Sequence, residues 1–215
     1  MKILSVSDVV IDFIYSPAIR QRFFDVDFII GCGDLPYYYL EYILTILDKP
    51  LYYVRGNHAN LVEYGHGGAR TEPQGAIDLH GRTVNHDGLL MAGVEGSVRY
   101  NSGHFQYTQR EMWGHVLALA PQLMLNRVNH GRFLDIFVTH ASPWGIHDQD
   151  DPPHHGVKAF NWLLRVFKPK WHLHGHIHIY QNNTVRETKY HETCVRNTYG
   201  HLESTFVLPK NDPNG

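Results

Sequence analysis

Short apolar runs that end in small polar clusters recur along the chain, and this pattern constrains the fold most. Residues 2–7 lead into Asp, residues 27–30 into Gly-Cys-Gly-Asp, and residues 51–54 into Arg-Gly-Asn-His. Each run has the length and composition of a β-strand. Helical patterns over residues 16–24 and 36–47 separate the runs. This alternation predicts an α/β fold whose polar residues gather at the carboxyl ends of parallel strands, where such sheets bind ligands.

The second half of the chain repeats the pattern after a less regular middle. Residues 60–75 are rich in glycine and polar residues and predict a loop that could act as a lid. Short runs within residues 76–94 predict a meander. Thr108-Gln-Arg-Glu fits a capping box for a helix through about residue 126. The remaining predicted elements are a strand over 133–138, a helix over 157–167, a strand over 171–174 and two or three closing strands within 177–208.

Composition and charge narrow the class of protein. No segment reaches about 18 uninterrupted apolar residues, and the start of the chain lacks a signal-peptide pattern, so we expect no membrane span and a cytoplasmic location. The formal net charge of −2 gives no basic face for stable nucleic-acid binding, although a small phosphorylated substrate is compatible with it. We expect one domain over residues 1–208 and a flexible tail over 209–215. The oligomeric state is left open.

The polar residues at the predicted strand ends form a set of candidate metal ligands. They are Asp8, Asp34, Asn57, His140, His176 and His178. Carboxylate, amide and imidazole donors suit Mn, Fe, Zn, Co or Ni rather than a thiolate-bound structural zinc. The two cysteines, Cys32 and Cys194, are too far apart in sequence to form a zinc-knuckle pair. His176 and His178 stand two residues apart on a segment expected to be extended, so both side chains would point the same way.

In chain order, the blocks are Asp8-Val9-Val10, Gly33-Asp34, Gly56-Asn57-His58-Ala59, His140 and Gly175-His176-Ile177-His178. This ordered set resembles the calcineurin-like metallophosphoesterase superfamily, whose pattern is D-x-H, G-D, G-N-H-[DE], H and G-H-x-H. The resemblance implies a four-layer α/β/β/α sandwich with the metal centre at the sheet edges. It also implies a metal-dependent phosphoesterase in which water at a dinuclear centre attacks a small phosphorylated substrate.

The resemblance further implies a role for each residue. Asp8 and His178 would hold a first divalent cation, and Asp34 would bridge it to a second. Asn57, His140 and His176 would complete the second site. We expect Mn²⁺ first, with Fe, Zn, Co or Ni as alternatives.

Three further residues are candidates for contact with the substrate. The catalytic residue would be His58, as a general acid or as a donor to the scissile phosphate. Arg99 and Tyr100 lie on a glycine-containing loop and are candidate substrate contacts, with a solvated loop surface as the alternative. His172 and His174 are expected to pack against a neighbouring layer or to support the ligands.

Two positions depart from the family pattern. Val10 stands where the family has a metal ligand, so the first metal is expected to bind more weakly, and Ala59 stands where an acid usually follows the histidine. A phosphodiester is slightly preferred over a phosphomonoester, because His58 could protonate a poor alkoxide leaving group. The alternative hypothesis is a catalytically weak or inactive relative that acts as a protein-binding scaffold. The two departures favour it, and the otherwise intact ligand set opposes it.

Overall fold

The computed structural model describes residues 1–65, 68–181 and 184–208. The strands are β1 (Lys2–Ser7), β2 (Phe28–Cys32), β3 (Leu51–Val54), β4 (Glu63–Gly65), β5 (Gly68–Arg70), β6 (Ile77–Asp78), β7 (Thr83–His86), β8 (Leu89–Val94), β9 (Ser97–Val98), β10 (Gln106–Tyr107), β11 (Ile136–Thr139), β12 (Trp171–His174), β13 (Glu187–Tyr190), β14 (Thr193–Asn197) and β15 (Gly200–Thr205). The helices are α1 (Ala18–Arg22), α2 (Tyr37–Leu47), α3 (Gln109–His130) and α4 (Lys158–Phe167), and a 3₁₀-helix spans Pro152–His154. The predicted tail over 209–215 lies outside the described residues.

Two mixed sheets form the centre of the fold. The first has the strand order β15-β1-β2-β3-β6, in which only β15 runs antiparallel to its neighbour. The second has the order β13-β14-β12-β11-β8-β7, with a parallel centre and antiparallel edge strands. In both sheets the parallel strands therefore end at one edge, and that edge is where the candidate ligands follow them.

Three buried apolar clusters show how the layers pack. The central cluster joins residues of both sheets, such as Phe28 and Ile136. A second cluster packs α1 and α2 on the outer face of the first sheet, through residues such as Ile19 and Ile43. A third packs α3 and α4 on the second sheet. This helix, sheet, sheet, helix order confirms the predicted four-layer sandwich.

Some element predictions are wrong in detail. The segment over 60–75 is not a plain loop, because β4 and β5 pair antiparallel within it. The runs within 76–94 do not form one meander, since β6 joins β3 in the first sheet and β7 joins β8 in the second.

The predicted capping box of α3 is confirmed, as Thr108 and Glu111 each accept a hydrogen bond from the other's backbone N–H. That helix continues to His130, where Gly131 ends it in the left-handed region with φ +72°.

Candidate metal centre

Three of the candidate ligands sit on sharp backbone turns at strand ends. Asp8, Asp34 and His176 have φ values of 66°, 52° and 67°, in the left-handed region that residues with a Cβ rarely adopt. Strain of this kind persists only where the surrounding structure imposes it, and it concentrates at functional sites. Glycine is needed beside two of these turns: a Cβ on Gly175 would lie 2.6 Å from Asp8 Oδ2, and one on Gly56 would overlap the Asp34 carboxylate.

Four of the candidate ligands meet at one point, around Nε2 of His140. This nitrogen lies 3.0 Å from Asn57 Oδ1, 3.1 Å from Asp34 Oδ2 and 3.1 Å from His176 Nδ1. Asp34, His140 and His176 offer ligand atoms that all lie within 4.8 Å of one another. A single proton on Nε2 cannot be shared well among three acceptors, whereas a divalent cation bonds oxygen and imidazole donors together. The donor set therefore fits a metal ion.

Backbone carbonyls fix the orientation of both buried imidazoles. Nδ1 of His140 lies 2.9 Å from the carbonyl of Cys32, and Nε2 of His176 lies 2.7 Å from the carbonyl of Pro153. Because a carbonyl only accepts, each of these ring nitrogens donates, and the other nitrogen of each ring is turned toward the cluster. Hydrogen bonds of this type hold metal-binding histidines in a single tautomer. The sequence gives no sign of either carbonyl, since any residue type can supply one.

Tyr100 lies directly behind one of the candidate ligands. The amide nitrogen of Asn57 donates a hydrogen bond of 3.2 Å to the Tyr100 hydroxyl, which turns the amide oxygen toward His140. Arg99 lies elsewhere, because its guanidinium pairs with Glu111 at 3.1 Å and donates to the carbonyl of Gln106. The structure thus brings Tyr100 to the cluster but not the Arg99 guanidinium, and the substrate-binding role of each stays a prediction.

Asp34 and His140 shift each other's pKa. Burial alone would lower the pKa of His140, but the Asp34 carboxylate raises it to about 9. Burial alone would raise the pKa of Asp34, but the charge and hydrogen bond of His140 lower it to about 2. For Asp8, burial dominates and raises the pKa, although His140 opposes it. A cation bound here would replace the proton as the partner of these carboxylates.

The remaining two candidate ligands are more loosely arranged. The Asp8 carboxylate is buried and accepts hydrogen bonds of 2.9 and 3.1 Å from the backbone N–H of His176. The His178 side chain is 41% exposed, with its Nε2 4.0 Å from Asp8 Oδ1 and its Nδ1 hydrogen-bonded to Tyr180. Val10 packs against the apolar cluster under α1 and α2.

The expectation that His176 and His178 share one extended segment is wrong. Strand β12 ends at His174, and the positive φ of His176 turns the chain. His176 is therefore buried and faces His140, whereas His178 is exposed and faces Asp8. The two histidines therefore lie in different parts of the candidate centre.

His58 lies at the open side of the cluster. Its backbone N–H donates a 2.8 Å hydrogen bond to Asp34 Oδ1, and its side chain is exposed. His58 and Asp34 both line a cavity of about 590 Å³. A substrate held in this cavity would meet both residues, so the position is compatible with the predicted catalytic role.

His172 and His174 lie behind the cluster and are fully buried. The ring of His172 donates to the Thr139 hydroxyl at 2.8 Å, because that hydroxyl itself donates to the carbonyl of Ala141. The ring of His174 joins His147 at 2.9 Å and the carbonyl of Gly175 at 2.9 Å. Both histidines therefore contact their neighbours in the second sheet and the loop behind the cluster.

Comparison with known proteins identifies the family. The sequence model of the calcineurin-like phosphoesterase family matches residues 1–180. The chain belongs to this family. Calcineurin-like phosphoesterases are metal-dependent hydrolases of phosphate esters, which agrees with the donor set around His140. No curated protein sequence matches the chain.

Solved structures share the calcineurin-like phosphoesterase fold. TT1561 of Thermus thermophilus superposes with a TM-score of 0.58 at 16% identity, over 93% of this chain and 89% of that one. GAP50, the anchor in the inner membrane complex of Plasmodium, superposes with a TM-score of 0.50 at 15% identity, over 92% and 70%. At these identities the likeness concerns the fold alone. Within the residues that the structure describes, no helix is long and apolar enough to cross a membrane.

Proposed function

We propose that this phosphoesterase hydrolyses a phosphodiester at a centre of two divalent cations, of which Mn²⁺ is the first candidate. One observation supports it most: Asn57, Asp34 and His176 all place a ligand atom within 3.1 Å of Nε2 of His140. These side chains follow strands or turns that are distant in sequence. Such convergence of buried donors is expected of a metal site and not of loop-capping residues.

The proposed ligands divide between two sites. Asp34 has two carboxylate oxygens and would contribute to both, because Oδ2 faces His140 and Oδ1 accepts from the backbone of His58. Asn57, His140 and His176 would complete the buried site, and Asp8 with His178 would form the open one. Two neighbouring cations would supply an activated water and stabilise charge on the phosphoryl oxygens. With Val10 in place of a ligand, the open site would bind its cation more weakly.

His58 is the proposed proton donor. Its side chain is exposed at a cavity that it shares with Asp34, so a substrate ester bond can be brought within hydrogen-bonding reach of the imidazole. A positioned general acid matters most when the leaving group is a poor one, such as the alkoxide of a diester. For this reason we prefer a phosphodiester to a phosphomonoester. Ala59 provides no carboxylate to hold the ring, so substrate contact would have to orient it.

A protein-binding scaffold is the alternative. Val10 supports it, because this side chain packs into an apolar cluster instead of joining the metal site. The structural neighbour GAP50 is described as an anchor, although the likeness to it concerns only the fold. Against the scaffold stands the convergence of three buried side chains, Asn57, His140 and His176, with Asp34, which a binding surface on the sheet face would not require.

A direct experiment separates the two functions. Purified protein would be stripped of metal, reloaded with Mn²⁺ and assayed on bis-p-nitrophenyl phosphate and p-nitrophenyl phosphate, with metal content measured in parallel. We expect bound metal and metal-dependent turnover, faster on the diester. Faster turnover of the monoester would reverse the substrate preference alone. If the protein neither retains metal nor hydrolyses either compound, the scaffold hypothesis replaces the enzyme.

A further inference from the structure

A groove lined by tyrosines leads away from the metal centre. The cavity of about 590 Å³ that contains Asp34 and His58 is also lined by Tyr38 and Tyr64. A second cavity, of about 790 Å³, is lined by Tyr15, Tyr38 and Tyr64 together with Gly65 and Arg70. Tyr38 and Tyr64 line both cavities, so the two cavities adjoin at these residues. We call the two adjoining cavities the tyrosine groove.

The aromatic side chains of this groove are presented to solvent. Tyr64 is 86% exposed, and Tyr15 and Tyr38 are each 45% exposed. The rings of Tyr15 and Tyr38 contact each other edge to face at 5.5 Å, and Tyr42 meets Tyr15 at 4.6 Å. Exposed aromatic residues that line cavities beside a candidate active site offer faces on which a planar ligand can stack.

The charges of the groove favour a neutral partner at its far end. Among the lining residues of the described chain, Arg70 is the only arginine or lysine, and its guanidinium pairs with Glu41 at 2.5 Å. Glu63 adds a carboxylate beside Tyr64, where it accepts a hydrogen bond from the backbone of Tyr37. Among the described residues that line it, the groove offers a second phosphate group no unpaired arginine or lysine. The groove therefore suits one phosphate at the metal end and an uncharged aromatic group at the other.

We propose that the tyrosine groove binds the base of a nucleoside phosphate ester while the ester phosphate lies beside Asp34 and His58. This inference rests on the proposed function and names its substrate class. A nucleoside joins a flat aromatic base to a phosphate through a sugar, so it occupies both ends of the groove. A phosphotyrosine ring is bonded directly to its phosphate and has no sugar between the two. Nucleobases stack on aromatic side chains regardless of their sequence identity.

The test compares two ligands that differ only in the base. Non-hydrolysable methylenephosphonate analogues of AMP and of ribose 5-phosphate would be titrated into Mn²⁺-loaded protein by calorimetry. We expect the AMP analogue to bind about tenfold more tightly, because only it can stack on tyrosine. Equal affinities for the two analogues would overturn the inference.

Two variants and one control assign the difference to the groove. Tyr64→Ala should remove most of the tenfold preference without changing the affinity of the ribose analogue, whereas Tyr64→Phe should keep it. Tyr64 is almost fully exposed, so its loss should not disturb folding. The control is Phe24→Ala, an aromatic side chain that is 70% exposed and precedes β2, at the edge opposite Asp34. An equal effect of Tyr64→Ala and Phe24→Ala would contradict the inference.

The same measurements separate this inference from the proposed function. If Mn²⁺-dependent hydrolysis of bis-p-nitrophenyl phosphate is present but both analogues bind alike, the phosphoesterase stands and the base-binding groove is wrong. If hydrolysis is absent and neither analogue binds, both proposals are wrong. Binding of the AMP analogue through Tyr64 without hydrolysis would keep the groove as a nucleotide site and remove the catalytic assignment.

Discussion

The buried part of the candidate metal centre, around His140, differs sharply from the open part, around His178. In the buried part, His140 and His176 are each held by a backbone carbonyl and their free nitrogens are 3.1 Å apart. In the open part, the ring of His178 is held by the exposed Tyr180 and lies 4.0 Å from the nearest oxygen of Asp8.

This difference shows that one motif can contribute to two sites, one with its side chains held in position and one without. Gly-His-Ile-His places both histidines, yet a single left-handed residue at His176 buries one and exposes the other. A preorganised site loses little entropy when it binds a cation, whereas an exposed side chain that is not yet in position has to be ordered at that moment. We therefore expect the two sites to fill in order, the buried one first.

The largest effect should come from the residue that both parts share. Asp34→Asn removes the negative charge that faces His140 and would bridge the cations, so we expect loss of both metals and a fall in turnover of roughly 1000-fold or more. His178→Ala should instead lose only one of two metal equivalents. Metal analysis and hydrolysis of bis-p-nitrophenyl phosphate measure both effects. The control is Asp12→Asn, an exposed aspartate. Equal metal loss in the Asp34 and His178 variants would show that the two parts do not differ.

The second largest effect should be on turnover alone, with no change in metal content. The hydrogen bond that joins His58 to Asp34 comes from the His58 backbone N–H, so His58→Ala should retain full metal content and lower turnover roughly 100-fold, as expected for the loss of a general acid. The loss should be smaller for substrates with good leaving groups, such as p-nitrophenolate, than for alkyl esters. Loss of metal in this variant would place His58 among the ligands.

The sequence predicts those parts of the candidate centre that depend on which residue follows each strand. The candidate ligands from Asp8 to His178 can be identified in the sequence because each follows a predicted strand, and parallel strands of one sheet end at one edge. The family and the four-layer fold were predicted from the same blocks. The assignment of metal, catalytic and substrate-binding roles stays a prediction.

Features that depend on unusual backbone geometry or distant packing could not be predicted. The positive φ of His176 overrides the alternation expected of an extended segment, and histidine gives no local indication of it. The carbonyl of Pro153 reaches His176 only because the loop folds back over the cluster. The β4–β5 hairpin is only three residues a side, too short for a periodic pattern, so Tyr64 was not recognised as part of a groove.

Lowering the pH should destabilise the folded protein through His172, which is buried behind the cluster. Burial, with a smaller contribution from His147, lowers the pKa of His172 to about 3. Below pH 6.5 the unfolded chain therefore takes up a proton at this residue that the folded chain does not, and stability falls as the pH falls. We expect a loss of about 2 kcal/mol between pH 6.5 and pH 5 from this residue alone.

The corresponding variant is His172→Phe, which keeps an aromatic ring beside Phe137 and Phe160. The free energy of unfolding of metal-free protein, measured by urea denaturation, should fall between pH 6.5 and pH 5 in both proteins. The fall should be about 2 kcal/mol smaller in the variant than in the wild type. Identical pH dependence in the two proteins would show that His172 accepts a proton without unfolding.

A smaller effect should distinguish the hydroxyl groups that support each part. Tyr100→Phe removes the acceptor that orients the Asn57 amide, and we expect metal affinity at the buried site to fall about tenfold. Tyr180→Phe removes the partner of His178, which water can replace at that exposed position, so less than about a twofold change is expected. Manganese titration of both variants measures the contrast. A larger loss for Tyr180→Phe would reverse the order of the two parts.

A severalfold gain in affinity should come from adding the ligand that the open part lacks. Val10→His offers an imidazole beside Asp8, so the second manganese equivalent should bind severalfold more tightly while the first is unchanged. The substitution also removes an apolar side chain from the cluster under α1 and α2, at a cost of about 1 kcal/mol in stability. Val9→His is the matched control, one residue nearer to Asp8 in the chain. If Val10→His and Val9→His raise the affinity for the second manganese ion equally, the position of the added imidazole does not matter. The weak binding at the open part would then result from the exposure of His178 and not from Val10.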